Sequence, residues 1–151
     1  DGALNSAVAR LPETLAQAVR IGWQGFGQFA GNAASLFVLG RGPAYPIAQE
    51  TALKLKETCA LHAEAYSVAE VMHGPLELIG TDFPVLVYAP DDAACATTQE
   101  AVARMRATGA EVRVVGDGLP FAATGHTLTD PISMIATAYL QIERVAVALV
   151  T

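Results

Sequence analysis

Glu50, Lys54 and Glu57 fall four and three residues apart in ETALKLKET, the spacing that stacks side chains on one face of an α-helix. A carboxylate beside an ammonium in a partly dry cleft can take and return a proton, so this face is a candidate acid–base shuttle. The same pattern also describes a solvated face with weak intrahelical ion pairs. Lys56 supplies a separate charged position on the same segment. Two histidines follow. His62 lies in the alternating stretch LHAEAY, which leads into a turn, and reads as a hydrogen-bonded structural residue. His73 directly precedes Gly-Pro in MHGPLELI, a turn from which a ring projects freely. His62, His73 and His126 have no metal-ligand spacing, and Cys59 and Cys95 form neither a CxxC motif nor a disulfide framework, so no metal site is expected.

The chain that must position these groups has the length of one domain, 151 residues, and is 52% hydrophobic, ample for a sizeable core. Its net charge of -6 argues against nucleic acid, whose phosphates demand a basic face. An anionic metabolite could still bind, through a local site rather than the overall field. No apolar run approaches the ~20 residues of a membrane span and nothing at the N-terminus reads as a signal peptide, so no membrane partner is expected. With two unpaired cysteines, a cytoplasmic setting is expected.

Three short apolar runs, SLFVLGRG, PVLVYAP and EVRVVGD, read as buried strands, and HTLTD as a short edge strand. The opening 32 residues read as interrupted helical segments, with Pro12 in a first turn. AYPIAQETALKLKETCA has helical periodicity with Ile47, Thr51, Leu55 and Thr58 on one stripe and Ala48 and Ala52 beside it. TTQEAVARMRATG is a helix closed by Gly109, and ISMIATAYLQIERVAVALV a long final one. Continuous apolar strands, each followed by a helix, predict a parallel sheet covered on both faces. The fold class is therefore α/β, a three-layer, doubly wound, flavodoxin-like sandwich of four or five strands, and ligands in such sheets collect beyond the carboxyl ends of the strands. Residues 40 to 58 leave the first strand on that side.

Gly40-Arg41-Gly42 invites a dinucleotide reading, but the third glycine of that fingerprint would fall at Tyr45. What remains is a tight turn in which Gly40, Arg41 and Gly42 could face an anionic substrate, or in which the glycines only permit the turn. After the second apolar strand, Asp91 and Asp92 would repel a phosphate, and Thr97 and Thr98 sit inside the next helix rather than at its mouth. A ligand's phosphate would accordingly sit on another domain.

Taken together, the ordered run GRGPAYPIAQETALKLKETCALHAEAYSVAEVMHGPLELI resembles the second sugar-isomerase (SIS) module of glucosamine-6-phosphate synthase and its relatives, and the remaining strands and helices agree with that module's five-stranded layout. The resemblance implies an enzyme with two such modules in one chain, acting on fructose-6-phosphate or glucosamine-6-phosphate with no metal and no redox cofactor. The first module would carry the phosphate loops and the second, this one, the acid–base residues. By position Glu57 matches the general base between C1 and C2, Lys54 its neighbouring lysine and Glu50 the supporting carboxylate. His73 matches the ring-opening histidine that reaches a neighbouring subunit's site. The resemblance also implies a tail lysine that forms a Schiff base with the open-chain sugar, and no lysine follows the final helix here. Residues 1–151 are thus expected to be a single SIS domain from a longer chain. A homodimer is expected from the final helix, apolar nearly all round at Ile132, Ile135, Ala136, Tyr139, Leu140, Ile142, Val145, Val147 and Leu149. The alternatives are a regulatory module that senses a sugar phosphate without turning it over, and a purely structural pairing module.

Overall fold

A computed structural model describes the whole chain, residues 1–151. Its centre is a parallel sheet of β1 (Ser35–Gly40), β2 (His62–Ser67), β3 (Pro84–Tyr88), β4 (Glu111–Val115) and β5 (Gly118–Leu119), in the order β2-β1-β3-β4-β5. That is the flavodoxin-like order, with its topological switch between β1 and β3. Alternation along each strand divides the core in two. Leu36, Val38, Leu86, Tyr88 and Val115 face one side, where α2 (Phe26–Gly31), α3 (Tyr45–Cys59) and α6 (Asp130–Val150) supply Phe26, Leu55, Met134 and Ile142. Phe37, Leu39, Val85, Val87 and Val114 face the other, covered by α4 (Val68–Val71), the 3-10 turn Pro75–Leu78 and α5 (Cys95–Ala107).

Several sequence expectations shift. The segment around Pro12 is one uninterrupted helix, α1 (Gly2–Ala18), with the proline inside it rather than in a first turn. The carbonyl four residues earlier belongs to exposed Val8, so water can take the place of the missing amide. His62–Ser67 is not a lead into a turn but the edge strand β2, paired in register with β1 from Ser35↔His62 to Gly40↔Ser67. The HTLTD stretch is not a strand. Thr124 donates through both its amide and its hydroxyl to Asp130, at 2.8 and 2.7 Å, and its hydroxyl also meets Thr129 at 2.6 Å, which ties the segment to the first residue of α6. The edge is instead the two-residue β5, reached from β4 through a turn in which Gly116 and Gly118 both have φ of 106°.

On α3 the inward stripe is Ala48, Thr51, Ala52, Leu55 and Cys59, while Thr58 is exposed. The final helix, α6, is long and apolar enough to cross a membrane, contrary to the sequence expectation; here it lies against α1, α2 and α3. Its inner face mixes Met134, Ala138, Ile142 and Val145 with Ser133, Thr137 and Gln141, and its outer face leaves Ile132, Tyr139 and Val147 exposed.

Candidate functional site

Position 40 explains how α3 is seated. A Cβ there would collide with the Ala44 carbonyl, so only glycine lets the chain fold back on the end of β1. Pro43 and Pro46 then sit at the starts of the 3-10 turn and of α3, where a missing N–H costs nothing. From that start α3 runs back along the sheet and ends at Ala60, a non-glycine residue with φ of 51° whose N–H reaches the Leu55 carbonyl. Only the beginning of α3 therefore lies at the carboxyl edge of the strands. Glu50, Lys54 and Glu57 follow the helix away from that edge, along its outward side.

Lys54 Nζ donates to Glu57 Oε2 at 2.7 Å and lies 3.9 Å from Glu50 Oε1, with all three side chains between a third and a half exposed. The hydrogen bond from Lys54 to Glu57, then the charge of Glu57, raise the pKa of Lys54 above its ordinary value, so the ammonium stays charged. A fourth group joins from another element. Tyr139 Oη of α6 donates to Glu50 Oε1 at 2.8 Å. Partial burial, then the bond to Glu50, raise the pKa of this phenol. The sequence signal for Tyr139 was only its place among the residues that leave the last helix apolar nearly all round.

The other candidates lie apart from this cluster. His73 is exposed in the turn between α4 and the Pro75–Leu78 turn, and its N–H donates to the Glu70 carbonyl at 3.0 Å. Both flanking segments pack on the sheet face opposite α3, through Val68, Val71 and Ile79. One copy of the chain does not bring His73 to Glu57. Arg41, Gly42 and Pro43 form one wall of a crevice of about 330 Å³, opposed by Asp92, Ala93, Ala94 and Thr127. This crevice occupies the topological switch point, where ligands are expected. Gly42 has φ of 53°, and Asp92 caps its own loop by accepting from the Ala94 amide at 2.8 Å. A larger cavity of about 540 Å³ lies under α5, between Val102, Arg106, Gly116, Asp117 and Phe121, because no helix crosses from β4 to β5 to fill it.

His62 is hydrogen-bonded, as expected of a structural residue: its Nδ1 meets Ser35 Oγ at 3.0 Å, and its Nε2 lies 3.8 Å from Glu64 Oε1. This Ser-His-Glu array sits at the amino ends of β1 and β2, on open surface. Cys59 is buried against the Ile142 carbonyl and Cys95 is half-buried, each a free thiol. No three His, Cys, Asp or Glu side chains are gathered to hold a metal ion.

Glutamine–fructose-6-phosphate aminotransferase (isomerizing) of Xylella fastidiosa is 48% identical over 89 residues, which are 59% of this chain and 14% of that protein. A Silicibacter pomeroyi protein assigned as a phosphosugar isomerase superposes with a TM-score of 0.90 at 44% identity, over 98% of this chain and 47% of that one. The C-terminal domain of glucosamine-fructose-6-phosphate aminotransferase from Francisella tularensis superposes with a TM-score of 0.74 at 26% identity, over 99% of this chain and 43% of that one. The chain thus spans less than half the length of each of these relatives. Residues 31–120 match the SIS domain over the whole sheet and the charged face of α3, and the chain belongs to the SIS domain family.

Proposed function

We propose that this chain is the acid–base module of a cytoplasmic aminosugar-phosphate isomerase, aminotransferase or deaminase, one that interconverts a ketose phosphate and a 2-amino-aldose phosphate without metal or redox cofactor. The observation that carries this reading is a charged lysine held 2.7 Å from one carboxylate and 3.9 Å from another on the outward side of α3. In this proposal the Glu57 carboxylate removes a proton from the carbon beside the sugar's carbonyl or imine. The C–H electron pair forms the C1–C2 double bond and displaces the carbonyl or imine π pair onto oxygen or nitrogen, which takes a proton from solvent to give an enediol or enolamine. The same carboxyl then returns its proton to the neighbouring carbon, as the hydroxyl on the first carbon loses its proton and becomes the new carbonyl. Lys54 stays cationic and faces the negative charge that develops on the substrate oxygen. Glu50 supports Lys54. His73 acts in ring opening at a neighbouring subunit's site, in a homodimer with composite active sites. Gly40, Arg41 and Gly42 shape the start of α3 rather than touch a sugar held at Glu57, about 18 Å farther along the helix. The sugar's phosphate is held by a first SIS module in a longer chain, so the module alone is expected to be inactive.

The test is proton–deuterium exchange at C1 or C2 of fructose-6-phosphate or glucosamine-6-phosphate by the full-length protein. Glu57→Gln should lower exchange by roughly 10²–10⁴ while sugar-phosphate binding persists. Normal exchange in that variant removes Glu57 from the mechanism. Binding without exchange in the unaltered protein favours the sensing module instead.

A further inference from the structure

Lys54 has two carboxylates within reach but is engaged by only one. Its Nζ touches Glu57 at 2.7 Å, whereas Glu50 Oε1 stays at 3.9 Å, although both glutamates sit one helical turn away on the same face. Nothing within α3 accounts for that asymmetry, because Glu50 four residues before Lys54 has the more favourable orientation for an intrahelical pair. Glu50 has a further partner, on α6. The Glu50 oxygen that faces Lys54, Oε1, is the oxygen that accepts from Tyr139 Oη at 2.8 Å.

We propose that Tyr139 is a positioning residue of this site: its hydroxyl restrains the Glu50 carboxylate and thereby commits Lys54 to Glu57. The inference rests on the acid–base reading of Glu57 given above and extends it to a residue on a different helix. Tyr139 can serve this way because α6 is pinned close to it by buried polar contacts that leave little freedom to slide or rotate. Gln141 accepts from the Trp23 amide at 3.0 Å and donates to the Ile21 carbonyl at 2.8 Å. Thr137 donates to the Ala18 carbonyl at 3.2 Å, and Asp130 at the start of the helix accepts from the Thr124 amide at 2.8 Å. With the hydroxyl removed, Glu50 Oε1 is free to close on Lys54, and the ammonium is then shared between two carboxylates. Glu57 loses part of the hydrogen bond that orients it toward the substrate.

Three variants of the full-length protein test this. Tyr139→Phe should lower kcat about tenfold, the scale of one hydrogen bond to a charged group, with KM changed less than twofold. Incorporation of para-aminophenylalanine at position 139, which keeps an N–H donor at the reach of the phenol, should recover most of that loss. In a Glu50→Ala background Tyr139→Phe should have no further effect, because the group through which it acts is gone. A readout independent of turnover is the NMR signal of the Lys54 ε-methylene, which should move on Tyr139→Phe and stay put when Glu50 is already alanine. A Lys54 signal unmoved by Tyr139→Phe overturns the proposal, as does an equal loss of kcat in both backgrounds. A signal that moves in a protein without isomerase exchange leaves the Tyr139–Glu50–Lys54 coupling standing and removes the isomerase reading.

Discussion

Replacing Gly40 or Gly42 by alanine separates two ways in which the turn before α3 depends on glycine. At position 40 an added Cβ meets the Ala44 carbonyl, its carbon and the Tyr45 amide, all backbone atoms of the segment that starts α3. Backbone cannot swing aside as a side chain can, so the start of α3 must retreat by about an ångström. Overpacking of this kind costs about 1–3 kcal/mol, and a rigid backbone neighbour puts Gly40→Ala near 3 kcal/mol. At position 42 nothing lies within 4 Å of an added Cβ, and the only penalty is the φ of 53°. That strain costs about 1 kcal/mol. Both substitutions gain a similar few tenths from a less flexible unfolded chain, which cancels in the comparison. At roughly 2–4 °C per kcal/mol for a domain of this size, Gly40→Ala should lower Tm by about 6–12 °C and Gly42→Ala by about 2–4 °C. Calorimetric unfolding of the two variants beside the parent measures both. Equal shifts, or a larger one at position 42, would refute the claim that close approach rather than backbone strain makes glycine necessary at position 40.

Three further outcomes are expected. Ala60 ends α3 with φ of 51°, so Ala60→Gly should raise stability by up to about 1 kcal/mol in a denaturant titration. Burial raises the phenol of Tyr88 well above its ordinary value, despite the 2.7 Å contact with Thr51 Oγ1, so its contribution is complete below the unfolded pKa near 10 and is lost as pH rises further. Tyr88→Phe should flatten the alkaline limb of the stability curve while costing about 1–3 kcal/mol at neutral pH, where Thr51 is left unpaired. Under the proposed composite site, mixing inactive full-length Glu57→Gln with inactive His73→Ala should restore part of the activity through mixed dimers. Zero activity after verified subunit exchange would place His73 outside the neighbouring site.

The parts of the fold legible in the sequence were those with one dominant signal. β1, β3 and β4 are continuous apolar runs because both of their faces are covered, by Leu36 and Val38 on one side and Phe37 and Leu39 on the other in β1. β2 was missed because it is an edge strand: Ala63 packs under α3, while His62, Glu64 and Tyr66 alternate with it on a partly open face. Thr127 and Thr129 in HTLTD suggested a strand by their β-branched side chains, yet Thr129 spends its hydroxyl on Thr124, which in turn donates to Asp130 at the start of α6. The stripe of α3 was turned from Thr58 toward Cys59 because the helix is wedged between the sheet and α6, with Cys59 against the Ile142 carbonyl. The Glu50–Lys54–Glu57 face was readable because its geometry is local to one helix. Tyr139 was not, since its bond to Glu50 joins residues 89 positions apart and depends on how α6 docks.

That docking also bears on what the proposed chemistry requires. A carboxylate and an ammonium shuttle protons efficiently when water is kept away, because water competes for every hydrogen bond and screens each charge. Here Glu50 and Lys54 are about one-third exposed and Glu57 about half, at 33%, 35% and 49%. The larger cavities of the chain lie elsewhere, under α5 and at the β1/β3 switch point. Next to the charged face Leu53 of α3 is exposed, and so in part is Tyr139 of α6, which donates to Glu50. Contact with another protein surface would exclude water from the ion pair and strengthen it. His73, on the opposite side of the sheet, needs a different surface to complete. For the proposed reaction Glu57 thus needs a surface over α3 that excludes water, a part the proposed first SIS module would play, and His73 needs the second copy proposed above.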